Sequence, residues 1–216
     1  MDSSSTNNVN AVIDRLREIV GDRFVVWRPE DLLVYEYDGS VDRHFPKAVV
    51  VPGSVDELID CVKAAHALGV PIVPRGSGTG LSGGAIPAEG TIQVVTSRLR
   101  AILDIDAENR IAVVEPGVIN ANLSEAVEPL GLYYVPDPSS QRACSIGGNV
   151  AENAGGPHCL AYGVTQNHVL GVEVVLADGS VVELGGSARE TVGYDLRGAF
   201  IGSEGTLGIA TKITVR

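Results

Sequence analysis

Between Pro71 and Gly84 the chain reads PIVPRGSGTGLSGG, with glycine at positions 76, 78, 80, 83 and 84. Glycine loses more backbone freedom on folding than any other residue, so glycines this dense need a physical reason. A disordered linker is disfavoured, because apolar strands flank the stretch and Leu81 and Ile86 interrupt it. A plain surface turn needs one or two glycines rather than five. The leading reading is a backbone that approaches an anion, its successive N–H groups converging as a nest. A Walker A loop is ruled out, since no lysine stands between Lys63 and Lys212. Gly78, Gly80 and Gly83 match G-x-G-x-x-G, but that motif must open a helix. Here GGAIPAEG follows, with Gly83, Gly84, Pro87 and Gly90 set against one. A loop after a strand remains, with Gly76, Ser77, Gly78, Thr79, Gly80 and Ser82 as candidate contacts. Arg75 at its head either adds positive charge or is an ordinary surface ion pair.

Two later stretches share the pattern. PDPSSQRACSIGGNVAENAGG, from Pro136 to Gly156, alternates Gly147-Gly148 and Gly155-Gly156 with small polar residues, Asn149 and Asn153 among them. It suits a narrow groove against a flat ligand, although a long loop with no function reads the same way. GSEGTLGI, from Gly202 to Ile209, sets Glu204 beside Gly205 before a strand. A carboxylate there could accept hydrogen bonds from a sugar hydroxyl, or the residues could form a simple turn. Other chemistry is thinner. His158 adjoins Cys159, but no third ligand lies at zinc-finger or H-E-x-x-H spacing. Cys144 has no lysine or histidine nearby to activate it and reads as a small filler. Asp104 and Asp106 alternate along a strand and read as a solvated face rather than an acid–base pair.

These residues need elements to position them. The first eight residues are polar and are expected to be disordered; Ile13, Leu16, Ile19 and Val20 then share a helical face that Gly21 stops. KAVVVPGS gives a strand, and Ser54 with Glu57 forms a capping box. Val55, Leu58, Ile59, Val62, Ala65 and Leu68 carry the helical repeat to Gly69. VPIVP is the next strand, so a parallel pair with a right-handed crossover is expected. TIQVVT, AILDID and RIAVVEPG read as strands, the last two joined by a polar turn. A helix from Asn120 to Gly131 follows, and residues 134–163 read mostly as loop. HVLGVEVVLADGSVVEL is a hairpin turning at Asp178-Gly179. The last residues, GIATKITVR, alternate as a strand with no closing helix, which reads as part of something longer.

Composition bounds the function. The chain has 216 residues, 44% of them hydrophobic but only 5% aromatic, enough for one or two domains with an aliphatic core. A net charge of −11 argues against nucleic acid as a partner. Phosphate-bearing cofactors stay possible, because backbone amides bind phosphate without formal charge. Three cysteines form no disulfide framework, the N-terminus lacks a secretory pattern, and no apolar run could span a bilayer. The expectation is a cytoplasmic protein, not membrane-spanning, associating with membranes only through partner subunits.

PRGSGTGLSGGA, DPSSQRACSIGGNVAENAGG and GSEGTLGI, in this order, resemble the PCMH-type FAD-binding domain of flavoenzymes of the vanillyl-alcohol oxidase type. Within that family the chain is most similar to the branch of glycolate oxidase FAD-binding subunits and D-lactate dehydrogenases. The resemblance runs from about Lys47 to Arg216. It implies an α+β fold of two α+β subdomains with FAD between them. Residues 1–46 would be a helical lead-in, about 47–115 the first subdomain and 116–216 the second. The C-terminal substrate domain of such relatives has no counterpart in this sequence. Arg75 to Gly80, with Ser82, would wrap the pyrophosphate. Pro138, Ser139, Cys144, Ser145, Gly147, Gly148, Asn149 and Asn153 would line the flavin and ribityl chain, and Glu204, Gly205 and Ile209 the adenosine end. Some relatives bind FAD covalently through a histidine where this chain has Thr79, so non-covalent FAD is expected. The implied reaction of the whole protein is hydride transfer from a small 2-hydroxy acid, glycolate or D-lactate, to flavin. Electrons would pass to partner subunits of an oxidase complex or another acceptor. No catalytic residue and no metal ligand is assigned within the chain. A self-contained electron-transfer module that docks on a catalytic subunit is the alternative.

Overall fold

A computed structural model describes residues 3–187 and 193–216. The chain builds two sheets, each with its own helices and its own aliphatic core. Helix α1 (Ser3–Val20) begins well before the expected start, within residues read as disordered. Asn8 helps to anchor this end, its Nδ2 donating to the Leu68 carbonyl at 3.0 Å. The buried stripe is Val12, Leu16 and Val20, an i, i+4 row, and Gly21 leaves the helix with φ of 84°.

The first sheet takes β1 (Val25–Val26), then, after the short helix α2 (Pro29–Leu32), β2 (Ala48–Val50), β3 (Ile72–Arg75) and β4 (Ile92–Val95). Helix α3 (Val55–Ala67) makes the crossover from β2 to β3. Its start is the expected cap: Ser54 Oγ accepts the Glu57 N–H, while Glu57 reaches back to the Gly53 N–H. Leu58, Cys61, Val62 and Ala65 then pack with the α1 stripe against Val50, Ile92 and Val94. Burial there drives the Cys61 thiol up to about 12, which leaves it inert near neutral pH. The expected parallel relation holds, but β2 and β3 are not neighbours. β4 lies between them in the order β1-β2-β4-β3, parallel to both. The burial pattern explains this, since all four β4 residues are buried and belong at a sheet centre.

The second sheet is antiparallel throughout, in the order β5-β6-β9-β7-β8. Its strands are β5 (Ile102–Asp106), β6 (Ile111–Val114), β7 (Val169–Val175), β8 (Val181–Gly185) and β9 (Ile209–Val215). The chain therefore changes sheets between Val95 and Ile102. β5 and β6, expected with the first unit, bond into the second because the apolar face of β6 pairs with β9. Helices α4 (Asn120–Val127) and α5 (Ile146–Glu152) cover this sheet through Leu123, Val127, Ile146 and Val150. α5 lies inside the stretch read as loop. Gly147 and Gly148 lower its intrinsic propensity, but Ser145 Oγ caps the Gly148 N–H and Ile146 and Val150 are fully buried. The short helices α6 (Cys159–Tyr162) and α7 (Leu196–Phe200) complete the unit. Val175 and Ile209 reach into the first core and join the two halves.

Across the β7–β9 pairing, Lys212 Nζ bonds Glu173 Oε2 at 2.8 Å and Thr211 Oγ1 donates to Glu173 Oε1 at 2.9 Å. Burial alone would raise the Glu173 carboxyl, but these hydrogen bonds outweigh it and hold the group below its usual range. A carboxylate with a depressed folded pKa stabilises above the unfolded value and loses that contribution as pH falls through the folded one. Glu173→Gln is expected to cost about 0.5–1 kcal/mol at neutral pH, kept small by the partly exposed lysine. The difference from wild type should shrink once pH falls below the ordinary glutamate value of about 4.3 and vanish only at a pH below the lowered folded-state value, where the wild-type carboxyl is itself protonated. Urea midpoints measured at neutral pH and below that lowered value test this.

Candidate functional site

One cleft runs between the two units. β3 ends at Arg75, and residues 76–80 leave the sheet as the loop that forms the cleft's first wall. Among the described residues, none of the backbone N–H groups from Gly76 to Gly80 donates a hydrogen bond. Backbone donors left unpaired inside a cleft are costly unless a ligand or water takes them. Gly78 turns the loop with φ of 67°. Opposite stands the start of α5. A Cβ on Gly76 would lie 2.6 Å from Ser145 Oγ, so the two glycine-rich stretches meet nearly backbone to backbone. The third stretch closes the end of the cleft: the Glu204 N–H bonds the Ala151 carbonyl at 2.9 Å and holds the turn against α5.

Of the eighteen residues expected to contact a ligand, fifteen line this cleft: Arg75 to Gly80, Pro138, Cys144, Ser145, Gly147, Gly148, Asn149, Glu204, Gly205 and Ile209. Ser82, Ser139 and Asn153 do not. Ser82 points its hydroxyl at Glu152 from outside the wall, and Ser139 is exposed beside it. Asn153 ends α5 in the left-handed conformation, with its Oδ1 accepting the Gln166 N–H at 3.0 Å. That is a structural cap. The amides of Gly147 and Gly148 are also spent within the fold, on the Pro116 carbonyl and on Ser145 Oγ. These two glycines therefore serve close approach, and the free donors belong to the first loop.

Arg75 is not the surface ion pair the sequence allowed. It is 8% exposed, its Nη1 donates to the Tyr37 carbonyl at 2.8 Å, and its guanidinium lies against Gly78. Asn149 is buried and holds the second wall rigid: Asn120 Nδ2 donates to its Oδ1 at 2.9 Å, and its Nδ2 donates to Cys144 Sγ at 3.3 Å. Asp38 and Glu152 line the cleft and were missed. Asp38 sits in an Asp-Gly-Ser turn, whose sequence signal is that of any turn, and Glu152 ends the helix read as loop. His158 bonds Asp137 at the surface, and His168 bonds the Tyr162 carbonyl, neither of them in the cleft. Asp106 accepts from Asn109 in the β5–β6 turn. Among the described residues, no group of three or more His, Cys, Asp or Glu could hold a metal ion, and no helix is long and apolar enough to cross a membrane.

Two α+β units with an amide-lined cleft between them are the PCMH-type FAD-binding fold. Residues 46–185 match the family described as FAD binding domain, and the chain belongs to that family. It is 48% identical over 207 residues to glycolate oxidase subunit GlcD of Escherichia coli K12, a match covering 95% of this chain and 42% of that protein. It is 39% identical to the D-lactate dehydrogenase of Archaeoglobus fulgidus, over 94% of this chain and 46% of that one. Among solved structures, the 4-ethylphenol oxidase of Gulosibacter chungangensis superposes with a TM-score of 0.83 at 27% identity, covering all of this chain and 43% of that chain. The chain thus spans less than half the length of the curated relatives it matches.

The cleft fits FAD on its own features. The free amides of residues 76–80 suit a pyrophosphate, and a Cβ on Gly76, Gly78 or Gly84 would collide with Ser145, Arg75 or Glu152, so the walls keep this close spacing only with glycine there.

Proposed function

We propose that the chain is the FAD-binding portion of a flavin-dependent 2-hydroxy-acid oxidoreductase, acting on a substrate such as glycolate or D-lactate to give the 2-oxo acid. The unpaired amide run from Gly76 to Gly80 carries the cofactor half of this reading. The relatives named for glycolate, D-lactate and D-2-hydroxyglutarate support the substrate class.

The amides of Gly76 to Gly80 hold the pyrophosphate. Pro138, Ser145 and Asn149 set the wall for the flavin, with Gly147 and Gly148 allowing it close. Glu204 accepts from the ribose, with Gly205 and Ile209 beside the adenosine. When bound, FAD supplies the hydride acceptor for the substrate Cα. Thr79 stands where the resemblance places an attachment histidine in some relatives, so the cofactor is held non-covalently. Residues that press the substrate against the flavin come from the remainder of a longer protein, and electrons leave to a partner subunit or another acceptor. The chain by itself binds FAD but turns nothing over.

The test has two arms. FAD added to the purified chain is expected to bind saturably and to leave completely on acid precipitation; flavin kept in the precipitate would refute non-covalent binding. The full gene product, loaded with FAD under anaerobic conditions, should lose its visible flavin band on addition of glycolate, D-lactate or D-2-hydroxyglutarate. A band unchanged by all three would sink the substrate class.

A further inference from the structure

Asn120 opens helix α4 behind the second wall of the cleft, without lining the cleft itself. It is 1% exposed. Its Nδ2 donates twice, to the Pro136 carbonyl and to Asn149 Oδ1, each at 2.9 Å. A carbonyl oxygen can only accept, so the Pro136 contact fixes which end of the Asn120 amide faces the wall. Asn149 must then present its Oδ1 to Asn120, which leaves its Nδ2 to Cys144 Sγ at 3.3 Å. The backbone of the same turn holds the rest of the wall. The Asn120 N–H donates to the Cys144 carbonyl at 3.0 Å, and the Ala121 N–H to the Gln141 carbonyl at 2.9 Å. Pro138, Cys144 and Asn149 all line the cleft. Asn120 Oδ1, by contrast, is buried and finds no partner among the described residues. A half-satisfied buried amide costs stability, and packing on this helix is served by the aliphatic Leu123 and Val127. The asparagine therefore answers to something other than packing.

We propose that Asn120 is a positioning residue for the flavin: its amide spans Pro136 and Asn149, and so sets both the seat of Pro138 and the direction of the Asn149 amide in the cleft wall. The proposal rests on the reading that this wall takes the flavin end of FAD. It separates the two ends of the cofactor. The amides of residues 76–80 stand on the opposite wall and make no hydrogen bond to Asn120. Loss of Asn120 should therefore weaken what the flavin contributes to binding and leave the pyrophosphate end as it was.

The experiment titrates wild type, Asn120→Leu, Asn120→Ser, Asn149→Leu and the Asn120→Leu/Asn149→Leu double variant with FAD and with ADP. Asn120→Leu is expected to raise the Kd for FAD by about tenfold, the scale of one lost buried hydrogen bond. ADP carries the pyrophosphate without the flavin, and its Kd should stay within about twofold of wild type. The visible spectrum of FAD bound to the variant should move towards that of free flavin. Asn120→Ser keeps a polar group too short to span both acceptors and should show the same pattern; it carries the comparison if the leucine variant does not fold. The double variant should be no worse than the worse single one, because both act through one contact. Unchanged FAD affinity and spectrum in the Asn120 variants, or additive losses in the double variant, would overturn the proposal. So would an equal loss of ADP binding with a lowered melting midpoint, which marks a folding role. A wild-type chain that binds neither FAD nor ADP would instead refute the FAD reading, and this proposal with it.

Discussion

Gly78→Val is expected to reduce FAD affinity by at least a hundredfold while leaving both cores folded. Position 78 has φ of 67°, a region that β-branched residues avoid at a cost of about 1–3 kcal/mol. Even an alanine Cβ would lie 2.2 Å from Arg75 Nη2. The guanidinium is buried and tied to the Tyr37 carbonyl, so it cannot simply swing away. The loop must therefore move, and the amides from Gly76 to Gly80 move with it. Neither aliphatic core includes a residue of this loop, so the damage stays local. Fluorescence titration with FAD and a melting curve on the apo-protein separate the two effects. Wild-type affinity in Gly78→Val would show that the loop does not hold the cofactor.

Gly147→Val should act on stability instead. A Cβ at 147 would stand 2.6 Å from Pro116 Cβ and 3.0 Å from the Pro116 carbonyl oxygen, which already accepts the Gly147 N–H at 2.8 Å. Pro116 stands two residues beyond the end of β6, so the clash falls between α5 and the edge of the sheet it covers. Relief requires α5 to lift, which opens the packing of Ile146 and Val150, both fully buried. Overpacking of this kind costs roughly 1–3 kcal/mol, and lost burial of two aliphatic residues adds to it. The melting midpoint should fall by roughly 10 °C for a chain of this size. A midpoint within about a degree or two of wild type would mean that α5 does not need its close seat on Pro116.

Much of the fold was legible because the sequence repeats its signals at several levels. Helix α3 carries a capping box, a 3.6-residue apolar period and a terminal glycine, all in agreement. The β7–β8 hairpin carries alternation and an Asp-Gly turn. Strand order was not legible, since β4 enters between β2 and β3 for reasons of burial that only the assembled layers reveal. α5 was hidden by its two glycines, and the helix forms because tertiary burial overrides propensity. The cleft was legible where glycines crowd, and least so where a single side chain does the work. Asp38 looks like any turn aspartate, and Asn153, which looked like a ligand contact, caps a helix. Arg75 was recognised, but its burial was not, since burial depends on Tyr35 and Tyr37, which lie some forty positions away.

The order of the second sheet bears on how the protein comes into being. β9 lies between β6 and β7, so the two hairpins β5–β6 and β7–β8 emerge during synthesis with no partner joining them. The first core also stays incomplete without Val175 and Ile209. Pairings this distant in sequence close slowly, and unpaired edges are exposed to aggregation while they wait. The nascent chain therefore cannot complete its cleft until residues 209–215 have cleared the ribosome. Cofactor capture therefore waits on β9, whose first residues, Ile209 and Ala210, line the cleft.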